Sequence, residues 1–158
     1  MAQHLEIERK FLVKTLPSGW KRRQHSRILQ GYLPKCRTDL SIRLRKQNLK
    51  HMLTVKAGRG AKRIEEEVEL DKRRFEALWP LTLGARIAKI RYKIPQNGAL
   101  IELDIYQGAH RGLAIAEIEF DSERASKSFK PPTWLGRELT NDRRYTNETL
   151  ARGEKKRG

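Results

Sequence analysis

Apolar and charged residues alternate at every second position in run after run of this chain, and that limits the fold more than any other feature. In Leu40 to Gln47, Ile42 and Leu44 take one parity while Arg43 and Arg45 take the other. A period of two belongs to a strand with its two faces in different surroundings. The same pattern marks His4 to Lys14, Met52 to Ala57, Arg63 to Leu70, Arg86 to Ile94, Leu100 to Tyr106 and Ala114 to Asp121, and Ile28 to Leu33 is a short strand candidate ending at Pro34. Gln96-Asn97-Gly98 between two runs is a hairpin-turn signal, and Pro17-Ser18-Gly19 and Gly58-Arg59-Gly60 read as turns. Asp71 caps a short helix carrying Phe75, Leu78 and Trp79 on one side, where Phe75 and Trp79 are expected to pack. Beyond Ser122 the pattern gives loop and a short helix reaching Leu150, with Asn141 or Asp142 as its cap. The expected class is mainly β (α+β), in one domain over residues 1–151. Residues 152–158 form a basic, flexible tail.

The polar parity is almost wholly formal charge. It holds nine carboxylates: Glu6, Glu8, Glu65, Glu67, Glu69, Glu102, Asp104, Glu117 and Glu119. It also holds eight bases: Lys10, Arg43, Arg45, Lys56, Arg63, Lys89, Arg91 and Lys93. Eight cations against nine anions leave −1, so the other charged residues supply +17 of the chain's net +16. Like charges two apart on one face repel unless opposite charge lies close. Two architectures accept such a face: an open sheet that turns it to water, or a closed barrel that turns it inward. Buried charge must be paired or ligated, and the near balance of signs meets that condition. At the N-terminus, Glu6, Glu8 and Lys10 share a face and could hold a divalent metal beside an anion. Glu66 is the exception, on the side of Ile64 and Val68.

Several classes drop out. One cysteine, Cys36, allows no intrachain disulfide and suits a reducing, cytoplasmic setting. No apolar stretch approaches the roughly 18 residues of a membrane span. His4, His25, His51 and His110 lack ligand spacing and read as surface residues, and Gly58-Arg59-Gly60 lacks a P-loop ending. Trp20, Trp79 and Trp134 do not interleave with the basic runs as a base-stacking array would. The net charge points to an anionic partner.

Glu6-x-Glu8-x-Lys10 near the N-terminus resembles the signature of the CYTH superfamily, the triphosphate tunnel metalloenzymes. Later blocks resemble it in order: Ile42-Arg43-Leu44-Arg45, Thr54-Val55-Lys56, Arg63-x-Glu65-x-Glu67, Lys89-x-Arg91-Tyr92, Glu102-x-Asp104 and Ala116-Glu117-Ile118-Glu119. Trp134 to Thr140 and Asp142-Arg143-Arg144-Tyr145-x-Asn147 are similar to the segment after the last strand in small bacterial members. The resemblance implies an eight-stranded antiparallel β-barrel, a triphosphate tunnel, with peripheral helices. It implies Mg2+- or Mn2+-dependent hydrolysis of tripolyphosphate, with ATP and GTP as lesser substrates. Lys10, Arg43, Arg45, Lys56, Arg63, Lys89, Arg91 and Arg144 would bind phosphate. Glu6, Glu8, Asp104, Glu117 and Glu119 would hold metal, with Glu102 assisting. Lys10 and Lys89 would serve catalysis, Glu65 and Glu67 would orient water or a second metal, and Tyr32 would position substrate. Nucleotide cyclisation, as in class IV adenylyl cyclases, is the alternative on the same fold. A non-enzymatic module that binds polyanions or nucleic acid through the basic exterior is a third. A homodimer is one admissible assembly.

Overall fold

The computed structural model describes residues 7–59 and 62–153. The strands are β1 (Ile7–Val13), β2 (His25–Tyr32), β3 (Leu40–Gln47), β4 (Lys50–Arg59), β5 (Lys62–Leu70), β6 (Arg86–Gln96), β7 (Ala99–Tyr106), β8 (Ala114–Phe120) and β9 (Leu135–Glu138). Three short helices accompany them: α1 (Lys72–Leu78), α2 (Glu123–Ser128) and α3 (Asn147–Ala151). The hydrogen-bonded order is β5-β4-β3-β2-β6-β7-β8-β1-β9. The class is mainly antiparallel β with few helices, as the alternation requires. The expected eight strands become nine, and the order has two ends, β5 and β9, among the described residues.

The chain divides into two compact units, with β2 and β6 running through both. The first contains β1, β7, β8, β9, α2 and residues 90–96 of β6. Its core gathers Phe11, Tyr92, Ile94, Ile101, Leu103, Ala116, Ile118, Phe129, Trp134 and Leu135. These are the apolar parity of four strands joined by residues from α2 to β9. Burying each large side chain contributes about 1.5 to 3 kcal/mol. Asn97 (φ 53°) and Gly98 (φ 72°) form the two-residue turn between β6 and β7. Both dihedrals are left-handed, as a twist-matched hairpin needs.

β9 is the strand the alternation does not reveal. It has four residues and pairs with β1 through Phe11↔Glu138 and Val13↔Leu135, with a register shift between them. Arg9 on β1 fastens this edge, donating from Nε and Nη2 to both oxygens of Glu138 at 2.9 and 2.8 Å. The bidentate guanidinium holds the Glu138 carboxyl below the usual range.

The second unit contains β3, β4, β5, α1, α3 and the remaining parts of β2 and β6. Asp71 caps α1, accepting from the Arg74 amide at 2.8 Å. Phe75 is buried between Trp79, stacked at 5.3 Å, and His51 at 4.7 Å. His51 is therefore a buried packing residue rather than a surface histidine. β5 is an end strand exposed on both faces: Ile64 is 63% and Val68 53% accessible. That removes the difficulty of Glu66, because neither side of this strand is a core face. The C-terminal helix is capped by Thr146, not by Asn141 or Asp142. Arg152, expected in the tail, donates to the Leu33 carbonyl at 2.9 Å and pairs with Glu148 at 2.8 Å. No helix among the described residues is long and apolar enough to cross a membrane.

Candidate active site

In the first unit part of the polar parity is withdrawn from water: Arg91, Asp104 and Glu117 are buried and Lys10 half-buried. The registers Lys10↔Glu117, Glu8↔Glu119 and Glu102↔Glu117 put acids and a base side by side on neighbouring strands. Lys10 Nζ lies 3.2 Å from Glu117 Oε1 and 3.8 Å from Glu8 Oε1. Arg91 on β6 reaches three carboxylates. It donates from Nε and Nη2 to the two oxygens of Asp104 at 2.7 Å each, and from Nη2 to Glu117 Oε2 at 2.6 Å. Its Nη1 donates to Glu102. Asp104 is wholly buried, and Arg91 and Glu117 are nearly so. Burial alone would lower the Arg91 pKa, but the carboxylates around it outweigh that and raise it. Arg91 is a fixed cation at any pH the fold survives.

Glu8 and Glu119 sit directly opposite across β1 and β8, where side chains approach to about 5 Å and like charges repel. Both are exposed. Glu6 lies outside the described residues. Among the described residues no three Asp, Glu, His or Cys side chains form a metal-binding group. The donors present are all carboxylate oxygens, the chemistry that suits a hard divalent ion.

In the second unit bases and neutral polar groups interlock. Arg43 Nη2 donates to Thr54 Oγ1 at 3.1 Å, and Thr54 Oγ1 donates to Glu67 Oε2 at 2.9 Å. Arg43 Nη2 is 3.6 Å from the same Glu67 oxygen. Its Nε is buried and meets no partner among the described residues, a donor in want of an acceptor. Arg45 Nε donates to Gln30 Oε1 at 3.2 Å, and Gln30 Nε2 donates to Tyr32 Oη at 2.9 Å. Burial pushes the Tyr32 phenol up, against the pull of Arg43 and Arg45. Lys56 pairs with Glu65 at 2.9 Å. Lys89, 1% exposed, donates to Asn147 Oδ1 on α3 at 3.4 Å.

Glu148, one residue on, accepts from Ser41 Oγ at 2.9 Å and pairs with Lys35 at 3.3 Å as well as with Arg152. Burial raises its carboxyl pKa, and these donors more than reverse the effect. Arg144 stands exposed on the turn Arg143–Tyr145. The side chain of Arg63 lies outside the described residues.

The structure thus joins Lys10, Arg91, Asp104, Glu102 and Glu117 in one network. It joins Arg43, Thr54 and Glu67 in a second, and Arg45, Gln30 and Tyr32 in a third. Gln30 and Glu148 stand outside every motif in the sequence, and Thr54 and Asn147 lie within motif blocks that gave them no role. For Thr54 a signal existed: a neutral polar residue on the charged parity beside Lys56.

The CYTH domain profile matches residues 4–153. An inorganic triphosphatase from Nitrosomonas europaea is 45% identical over 149 residues, covering 92% of this chain and 96% of that protein. An inorganic triphosphatase from Acetivibrio thermocellus is 40% identical over 154 residues, covering 93% of each. Among solved structures, an inorganic triphosphatase at 40% identity superposes with a TM-score of 0.75 over 95% of this chain and 96% of that one. A putative adenylate cyclase from Bacillus halodurans, 18% identical with a TM-score of 0.55 over 77% of this chain and 83% of its own, shares the fold.

Proposed function

The chain belongs to the CYTH domain family, and from that premise we propose that it hydrolyses inorganic triphosphate with the help of a divalent metal ion, Mg2+ or Mn2+. The observation that carries this reading is the match to two inorganic triphosphatases, 45% and 40% identical over 149 and 154 residues. The buried charge supports it. A cationic set with an unsatisfied guanidinium donor on Arg43 suits an oxyanion with many acceptors.

Lys10, Arg43, Arg45, Lys56 and Lys89 bind phosphate oxygens in this proposal, with Arg63 and Arg144 assisting. Glu67 and Glu65 hold Arg43 and Lys56 until phosphate competes for them. Those two carboxylates then accept hydrogen bonds from the attacking water. Tyr32, kept protonated by burial, donates its hydroxyl to a phosphate oxygen. Glu8, Glu119 and Glu117, with Glu6, are the carboxylates that would hold metal. The bound ion would supply charge neutralisation on the condensed phosphate. ATP and GTP present the same triphosphate and are weaker substrates. The basic excess outside these sets draws polyanions, nucleic acid among them, toward the protein.

Incubation with tripolyphosphate and Mg2+ or Mn2+, followed by ion chromatography, tests the proposal. Equimolar orthophosphate and pyrophosphate are expected. With ATP the expected product is ADP, and cyclic AMP would favour the cyclase alternative. No phosphate release with either ion would overturn the reading.

A further inference from the structure

We infer that the second unit carries a docking surface for an anionic lipid bilayer, on the face where Leu29, Leu49, Leu81 and Leu83 stand among exposed bases. None of these residues belongs to the groups assigned to triphosphate, and the inference does not depend on that assignment. β2 and β3 build the centre of the surface. Leu29 and Lys46 are register partners, so their side chains share a face, and Arg27 lies two residues from Leu29 on that same face. This face of β2 meets the turn Trp79–Thr82, since Gly31 stands against Thr82. Leu81 and Leu83 flank that contact and are 52% and 81% accessible. At the other end, Asn48 in the turn from β3 to β4 is tied to Arg27 by two hydrogen bonds of 3.1 Å. That places Leu49, 91% accessible, beside Arg27.

The charge around these leucines selects the occupant. Arg27 and Lys46 are exposed and have no ion-pair partner among the described residues. α1 packs on the same face, through Phe75 against His51, the register partner of Lys46. It adds Lys72, Arg73 and Arg74, with Asp71 and Glu76 as the acids. Those acids are already engaged: Asp71 caps α1 and pairs with Arg74 at 2.9 Å, and Glu76 pairs with Lys72 at 3.6 Å. Five bases against two acids leave a positive surface. Exposed aliphatic side chains gathered in one region mark an interaction site. A bilayer with anionic headgroups satisfies both features, since the bases meet the headgroups while the leucines enter the acyl boundary. Nucleic acid would take up the bases and leave the leucines in water. A second copy of the chain would set base against base.

The test is co-sedimentation of the whole chain with vesicles of mixed phosphatidylglycerol and phosphatidylcholine, and with vesicles of phosphatidylcholine alone. The wild type is expected to bind the mixed vesicles, less tightly as salt is raised, and not the neutral ones. Leu81→Ser with Leu83→Ser should weaken binding by at least about tenfold. Arg27→Gln with Lys46→Gln should weaken it by about 30-fold, two charges at roughly fivefold each. All four side chains are exposed, so both variants should keep the wild-type urea midpoint and the wild-type rate of phosphate release from tripolyphosphate. Leu83→Ser alone, at the most exposed of the paired leucines, serves should the double variant fail to fold.

A wild type that leaves the mixed vesicles in the supernatant unbound overturns the inference. So does a leucine variant that binds them as the wild type does, because attraction between net charges would then account for the whole effect. Sedimentation without lipid supplies a third refutation: a wild-type dimer that the leucine substitutions make monomeric would put a second copy of the chain on this face. Failure to release phosphate from tripolyphosphate would strike the triphosphatase reading and leave the vesicle result standing.

Discussion

Gly31 sits in β2 between the buried Gln30 and Tyr32 and opposite Leu44 on β3. A Cβ added there would lie 2.6 Å from both Cβ and Oγ1 of Thr82, and 3.0 Å from its Cγ2. Carbon atoms in comfortable contact are about 3.5 to 4.0 Å apart, so the two segments must separate by about 1 Å. Thr82 cannot swing aside. It is fully buried, its hydroxyl donates to the Trp79 carbonyl at 2.7 Å, and it accepts from Arg86 Nε at 2.9 Å. Overpacking of this kind costs about 1 to 3 kcal/mol. For a chain of 158 residues that is a fall in Tm of about 3 to 9 °C. Urea unfolding of Gly31→Ala, read as the midpoint at constant slope, measures it. The companion is Gly31→Ala in a Thr82→Gly background, where the obstructing atoms are gone. The glycine substitution should then cost less by about 1 kcal/mol or more. An equal cost in both backgrounds would refute the steric reasoning, as would a Gly31→Ala protein of unaltered midpoint.

Two more outcomes follow from particular residues. Glu148 has its pKa pushed up by burial and pulled further down by Arg152, Ser41 and Lys35. Its contribution is therefore present above the ordinary carboxylate range, near pH 4.3, and is lost as pH falls through the depressed native value. Glu148→Gln should lower stability near pH 7 by roughly 1 to 2 kcal/mol, and the gap should close below about pH 4; a gap independent of pH would contradict the assignment. Gly98→Ala places a side chain at φ 72° and should cost about 1 to 2 kcal/mol in urea unfolding.

Much of the strand pattern was legible because it needs only local parity. β3 falls on Leu40–Gln47 as the alternation requires, and Asn97-Gly98 makes its turn through left-handed dihedrals that few other pairs adopt. β9 was not legible, since Leu135 to Glu138 shows no alternation and is extended through its pairing with β1. Ile64 and Val68 look like core residues in sequence and are exposed, because burial depends on what covers a strand and nothing within β5 tells that. The site shows the same division. Parity identifies the acids and bases. Only register reveals that Lys10 faces Glu117 while Glu8 faces Glu119. Arg91 belongs to the charged parity like the other bases, and only the converging strands show it paired with three carboxylates.

The most direct measurement is orthophosphate release from tripolyphosphate by protein freed of metal with a chelator, before and after addition of Mg2+ or Mn2+. Expected is no release until the ion is added, prompt release afterwards, and a higher ion requirement in Glu119→Gln. Release at full rate in the chelator, untouched by Glu119→Gln, would contradict a carboxylate-held metal ion acting on condensed phosphate.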